Sequence, residues 1–111
     1  MTVLVVGNAV MDRAFRCRDL PAVGASVLAE RGACEPGGKG FNQAVAAVRS
    51  GADVRLVAAV GADAAGDRLR ATLHMERIAD DVVAVAAATV ESLVFVDAAG
   101  ANAIVSTAAA A

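Results

Sequence analysis

The chain has 111 residues, a formal net charge of −2 and 58% hydrophobic residues, of which only 3% of the chain is aromatic. That length suits one small domain, and a core built mostly from Ala and Val offers little buried area per residue. The scattered Arg residues form no basic stripe and have no aromatics interleaved, so no nucleic-acid footprint is expected. Charge-free stretches fall short of the ~18 residues of a membrane helix. Met1–Arg13 has no basic segment ahead of its apolar run, so it does not read as a signal peptide. A soluble, cytoplasmic protein is expected. The spacing of Cys17 and Cys34 fits no metal motif and leaves a disulfide open; with nothing to mark secretion, a reduced pair is expected.

Thr2–Val6 is a β-branched apolar run ending at Gly7, which predicts a buried strand. Phe15 and Cys17 alternate with Arg16 and Arg18, the period of a half-wet strand. Pro21 and Gly24 mark a turn. Val27–Cys34 reads as extended, as one strand or as two around Gly32. Glu35–Gly40 is a Gly-rich loop, and Phe41, Val45 and Val48 then follow at helical spacing up to a C-capping Gly51. Val54–Val60 predicts another strand. Gly61–Gly66 is a loop with Asp63 as candidate N-cap, and Asp67 to about Arg77 reads as an amphipathic helix. Val82–Ala87, Leu93–Val96 and Ala103–Val105 read as three more strands, with Ala99–Gly100 turning between the last two. The closing Ala108–Ala111 run is low in complexity. The order predicts an α/β fold with a partial parallel core and an accessory sheet inserted on one edge. Val3–Val6 and Val54–Val60 are apolar on both faces, and two helices would leave some of that surface bare.

Two places carry chemistry. Gly37, Gly38 and Gly40 let the backbone approach a ligand, at a helix start where free N–H groups favour electronegative partners. Lys39 and Asn42 share a helix face, and Asn42 offers both donors and an acceptor to a polyhydroxyl ligand. A Walker A loop is excluded, because Gly40 follows Lys39 in place of Ser or Thr. A dinucleotide fingerprint is excluded too, because the Gly7 turn has no G-x-G-x-x-G. Asp12, placed just past the first strand, can accept from two hydroxyls at once. On position alone it could equally be an exposed turn former. His74, the lone His, reads as a surface or packing residue.

GNAVMD (Gly7–Asp12) followed by PGGKGFNQAVAAVRSGADVRLVAAVGADAAG (Pro36–Gly66) resembles the N-terminal signature of the ribokinase-like, pfkB carbohydrate kinases. TVESLVFVDAAGANAIV (Thr89–Val105) is similar to that family's hairpin with a Gly-x-Asn-x-Ile element. The resemblance covers nearly the whole chain. It implies a ribokinase-like fold over residues 1–111, with lid strands at about 14–35 covering a sugar. It implies that Asp12 binds sugar hydroxyls, that Gly38, Lys39 and Asn42 line the site and that Gly37 shapes the loop. It implies a kinase using ATP and Mg2+ on a small-molecule sugar, with a homodimer through the lid or through a missing C-terminal half.

There are departures. Val10 stands where ribokinases carry Asn, and Gly24–Ala25–Ser26 replaces the lid's usual Gly-Glu-Thr. The family's Gly-Ala-Gly-Asp motif, which supplies the anion hole and catalytic base, does not occur, so the chain reads as truncated. No catalytic residue, ATP site or metal ligand is assigned to it. The alternatives are a non-catalytic sugar-binding or interaction fragment, and a purely structural one.

Overall fold

The computed structural model describes residues 1–107; the Ala108–Ala111 run lies outside them. The elements are β1 (Thr2–Val6), β2 (Val10–Cys17), β3 (Ala29–Gly37), α1 (Lys39–Arg49), β4 (Asp53–Val57), β5 (Ala59–Gly61), α2 (Ala64–Met75), β6 (Ala79–Asp80), β7 (Val83–Val85), β8 (Glu91–Val96) and β9 (Asn102–Ser106).

The core is a three-stranded parallel sheet in the order β1-β4-β6, continued by a two-stranded pair, β5-β7. Each step across it runs the same way, and right-handed crossovers then put both helices on one face. That face holds the core: Val5, Val54, Leu56 and Val60 from strands meet Phe41 and Ala44 of α1 and Leu69 and Leu73 of α2. Among the described residues the opposite face carries no helix. Leu4 is 60% and Val6 73% exposed on it, as the apolar-on-both-sides pattern of the first strand leads one to expect, whereas β4 sets the charged Arg55 there, paired with Asp81.

A second, four-stranded sheet has the order β3-β2-β8-β9. The expected accessory pair is thus joined by the hairpin of the last two strands, because β8 lies parallel beside β2. Pattern alone does not reveal this pairing, since β2 and β8 are far apart in sequence. The side-chain alternation gives the sheet two distinct faces. Phe15 stacks on its partner Phe95 at 5.5 Å between ring centroids on one face, and Arg13 pairs with Glu91 at 3.0 Å on the same face.

Several expectations are corrected. Asp12 does not follow β1 in a loop; it lies within β2. Val27–Cys34 is not split at Gly32: one strand, Ala29–Gly37, runs through it. Arg13 opposes Cys34 and Phe15 opposes Arg31, so Gly32 and Ala33 together face Ala14 in a β-bulge. A side chain at Gly32 would stand 3.3 Å from the Ala14 Cβ, a tight contact that glycine avoids. Glu35–Gly37 belongs to this strand and not to a loop; Pro36 is tolerated because β3 is an edge strand that need not donate there.

Val54–Val60 is broken into β4 and β5, because β1 ends and the chain turns aside at Gly7. The Val82–Ala87 strand is shorter, with β6 preceding β7, and the ladder passes between them through Asp81 N–H and Val83 N–H donating to Leu56 O and Ala58 O. Helix α2 begins at Ala64, earlier than the pattern suggests, because Asp63 caps it by accepting from Gly66 N–H at 2.8 Å. Gly51 follows the Ser50 C-cap of α1 with φ of 97°. Both cysteines are free, Cys17 buried and Cys34 half-buried.

Candidate functional site

Where α1 meets the second sheet, the structure opens a cleft of ≈ 610 Å³, within the usual range for a small-molecule site. Asp12 of β2 faces it, with Gly38, Lys39 and Asn42 at the start of α1 on the other wall. Four of the five residues singled out from sequence therefore meet around one space. Gly37 does not line it; it lies behind Asp12, where a β-carbon would be 2.8 Å from the Asp12 Cγ and would collide with Oδ2.

The glycines of this segment are explained by close approach. Gly38 holds φ of 96°, and a Cβ there would stand 3.0 Å from Asn8 O. A Cβ on Gly40 would stand 2.8 Å from both Asn8 N and Asn8 O. The turn after β1 is thereby pressed against the first turn of α1, and Asn8 fastens the two: its Oδ1 accepts from Gly40 N–H at 3.2 Å and its carbonyl from Phe41 N–H at 3.0 Å. This corrects one expectation. Those two N–H groups of the helix start are spent on Asn8 and are not free for a ligand. The polar reach into the cleft comes from side chains.

Asp12 is half-buried and, among the described residues, its carboxylate makes no hydrogen bond and no ion pair; burial raises its pKa above the ordinary aspartate value. The carboxylate is partly desolvated and open to donors from a ligand in the cleft. Lys39 and Asn42 are exposed at the rim, and Lys39 forms no ion pair among the described residues. Together they present an acceptor-only group, a cation and an amide able to donate and accept, the complement of a polyol.

Sequence reasoning missed the rest of the lining. Asn8 is one such residue, and its position before Val10 and Asp12 was the available signal. Ser92 comes from β8, Ser106 from the end of β9 and Thr107 from just after it. Their presence follows only from the β2–β8 pairing, which places Ser92 opposite Asp12. Val10 and Val90, 4% and 5% exposed, form the apolar part of the wall. Val10 thus contributes a carbon surface where an amide was the family expectation. His74 is exposed and remote from the cleft, 4.0 Å from Asp80. Asp63 is a cap that also accepts from Thr89 N–H and Oγ1–H, at 2.9 and 2.6 Å. Among the described residues no group of three or more His, Cys, Asp or Glu converges to hold a metal ion, and no helix is long and apolar enough to cross a membrane.

The whole chain, residues 1–111, matches the model of the pfkB family carbohydrate kinases. It is 44% identical over 68 residues to a ribokinase of Lactococcus lactis, a match covering 60% of this chain and 23% of that protein. The fold is similar to that of ribokinase from Giardia lamblia, with a TM-score of 0.87 and 29% identity over 96% of this chain and 33% of that one. It is similar also to Arabidopsis thaliana ribokinase complexed with ribose and ATP, with a TM-score of 0.83 and 27% identity, covering 96% of this chain and 36% of that one. The chain spans about a third of the length of these solved structures. A parallel core, a second sheet and a Gly-Gly-Lys-Gly helix start facing a lone aspartate are thus found with a family match from end to end: the chain belongs to the pfkB family of carbohydrate kinases.

Proposed function

We propose that this chain is the sugar-binding portion of an ATP-dependent carbohydrate kinase, which phosphorylates a hydroxyl of a small sugar. The observation that carries the reading is Asp12: a half-buried carboxylate with no partner among the described residues, facing a cleft walled by Lys39 and Asn42. Asp12 accepts from sugar hydroxyls, Asn42 donates to and accepts from a neighbouring one, and Lys39 and Gly38 close the rim. The second sheet, including the strands within 14–35, covers the sugar and excludes water, so that ATP is spent on the alcohol.

ATP and Mg2+ belong to this reading through the family. The described residues gather no set of metal ligands, and the chain has neither a Walker A loop nor the Gly-Ala-Gly-Asp motif. No step of phosphoryl transfer is therefore assigned to its residues, and the catalytic base and nucleotide site are placed outside it. A homodimer through the lid is proposed to use the face of the second sheet where Phe15 stacks on Phe95 beside Leu93 and Val105, next to the Arg13–Glu91 pair.

Calorimetry with a panel of pentoses and hexoses tests the site. The chain binds at least one of them, and Asp12→Ala and Asn42→Ala each weaken that binding, by about 1.5–3 kcal/mol where a charged partner is lost. Retained binding in both variants refutes the site. A coupled ADP-release assay on the chain alone shows no sugar phosphorylation; ordinary turnover would refute the division of labour.

A further inference from the structure

Asp12, Ser92 and Ser106 form one row across three neighbouring strands. Asp12 on β2 is the direct partner of Ser92 on β8, and Ser92 is the direct partner of Ser106 on β9. Directly opposed residues in a sheet share a face, and all three line the same cleft. The two serine hydroxyls bond to each other at 3.0 Å, and either can be the donor. Their chemistry differs from that of Asp12. A carboxylate only accepts, whereas a hydroxyl pair uses one proton internally and keeps a second proton and lone pairs for a ligand. The pair is neutral, so it has no charge with which to favour a phosphate or a carboxylate. Its natural counterpart is an alcohol, which also gives one hydrogen bond and takes others. The rows of neighbouring strands lie about 4.8 Å apart, so the pair meets a different hydroxyl from the one held by Asp12. Val10 and Val90 complete the wall beside the row and offer carbon surface to the C–H face of a ring.

We infer that the Ser92–Ser106 hydroxyl pair is a specificity element of this cleft, reading one uncharged hydroxyl of the sugar beyond the one that Asp12 holds. The inference rests on the sugar-binding reading above and deepens it. It makes the cleft selective for an unphosphorylated hydroxyl at that position and against the deoxy analogue, because removing the ligand hydroxyl leaves the serine pair without its partner.

The test is calorimetry on the full chain with D-ribose, D-fructose and a monodeoxy series of whichever binds. For wild type, one deoxy analogue in the series binds about 2- to 10-fold more weakly than its parent. Ser92→Ala and Ser106→Ala weaken the parent by a similar factor and bind that analogue as wild type does, so the discrimination disappears. Ser92→Thr, which keeps the hydroxyl, retains it. Thermal melts of the same samples confirm that the variants are folded; Ser106 is exposed on an edge strand, where truncation leaves no cavity. Discrimination unchanged in both alanine variants, with Asp12→Ala abolishing binding, overturns this inference and leaves the sugar-binding reading standing. A wild-type chain that binds none of the sugars overturns both.

Discussion

Gly37 lies where a side chain would stand in the place of the Asp12 carboxylate: a β-carbon there would be 2.8 Å from Asp12 Cγ and would run into Oδ2. The two residues are on adjacent strands, β3 and β2, and the missing side chain of one makes room for the other. Gly37→Ala is therefore expected to displace the carboxylate from the cleft. Sugar affinity measured by calorimetry falls by at least 10-fold, while the melting temperature records the smaller overpacking cost of about 1–3 kcal/mol. Affinity unchanged in a folded Gly37→Ala chain would show that Asp12 does not hold the sugar from its present position.

The pH dependence of binding follows from the same carboxylate. Burial raises the Asp12 pKa above the ordinary value, so its ionised form is disfavoured in the free chain. The ionised carboxylate is the stronger acceptor for sugar hydroxyls. Affinity is then full at neutral pH and falls as pH drops through the raised pKa, at a higher pH than for a solvated aspartate. For folding alone the sign is opposite: neutralising this group on acidification relieves a cost. Asp12→Asn flattens the binding profile, and a wild-type profile already flat from pH 7 to 4 contradicts the assignment.

Asp63 behaves in the other direction. Hydrogen bonds from Thr89 and from Gly66 N–H lower its pKa. A carboxylate depressed in the folded state contributes stability that is present above its unfolded pKa and lost as pH falls through the folded one. Asp63→Ala removes the α2 cap, worth about 0.5–2 kcal/mol, and also frees Thr89. Thermal melts across pH 7 to 3 should show wild type losing part of its advantage over Asp63→Ala toward the acid end. A constant difference would assign the stabilisation to something other than the ionised carboxylate.

The bare face of the core sheet makes a prediction about association. Leu4 and Val6 stand 60% and 73% exposed on it, beside the unpaired edge of β1. Exposed apolar strands with open edges pair with other chains. The isolated chain is expected to elute from size exclusion as oligomer or aggregate, and Leu4→Lys with Val6→Lys to shift it toward monomer. A sharp, monodisperse monomer with a cooperative melt for wild type would show that the face needs no cover.

Much of this was legible from local pattern. The apolar runs at Thr2–Val6 and Val54–Val57 mark strands, Phe41 and Leu73 sit at helical spacing, and Asp63 precedes its helix as a cap should. The start of α1 was legible because consecutive glycines and the Lys39–Asn42 spacing are local features. What stayed hidden depends on pairing between distant segments. Ser92 is an ordinary strand serine until β8 is laid beside β2, and only then does it face Asp12. The break between Val57 and Ala59 was invisible for a similar reason: it follows from where β1 ends, not from any residue in the run. Asn8 was overlooked because its bonds go to Gly40 and Phe41, far along the chain.

Strand β2 runs unbroken from Val10 to Cys17 and carries Asp12 near one end and Phe15 near the other. The proposed sugar-binding carboxylate and the aromatic stack of the second sheet thus share one continuous strand. The start of α1, with Lys39 and Asn42, stands on the other wall of the cleft, pressed against the turn after β1 at Asn8 and Gly38. If Asp12 holds a sugar as proposed, the strand that holds it also carries Phe15, three residues along and on the opposite face, stacked on Phe95.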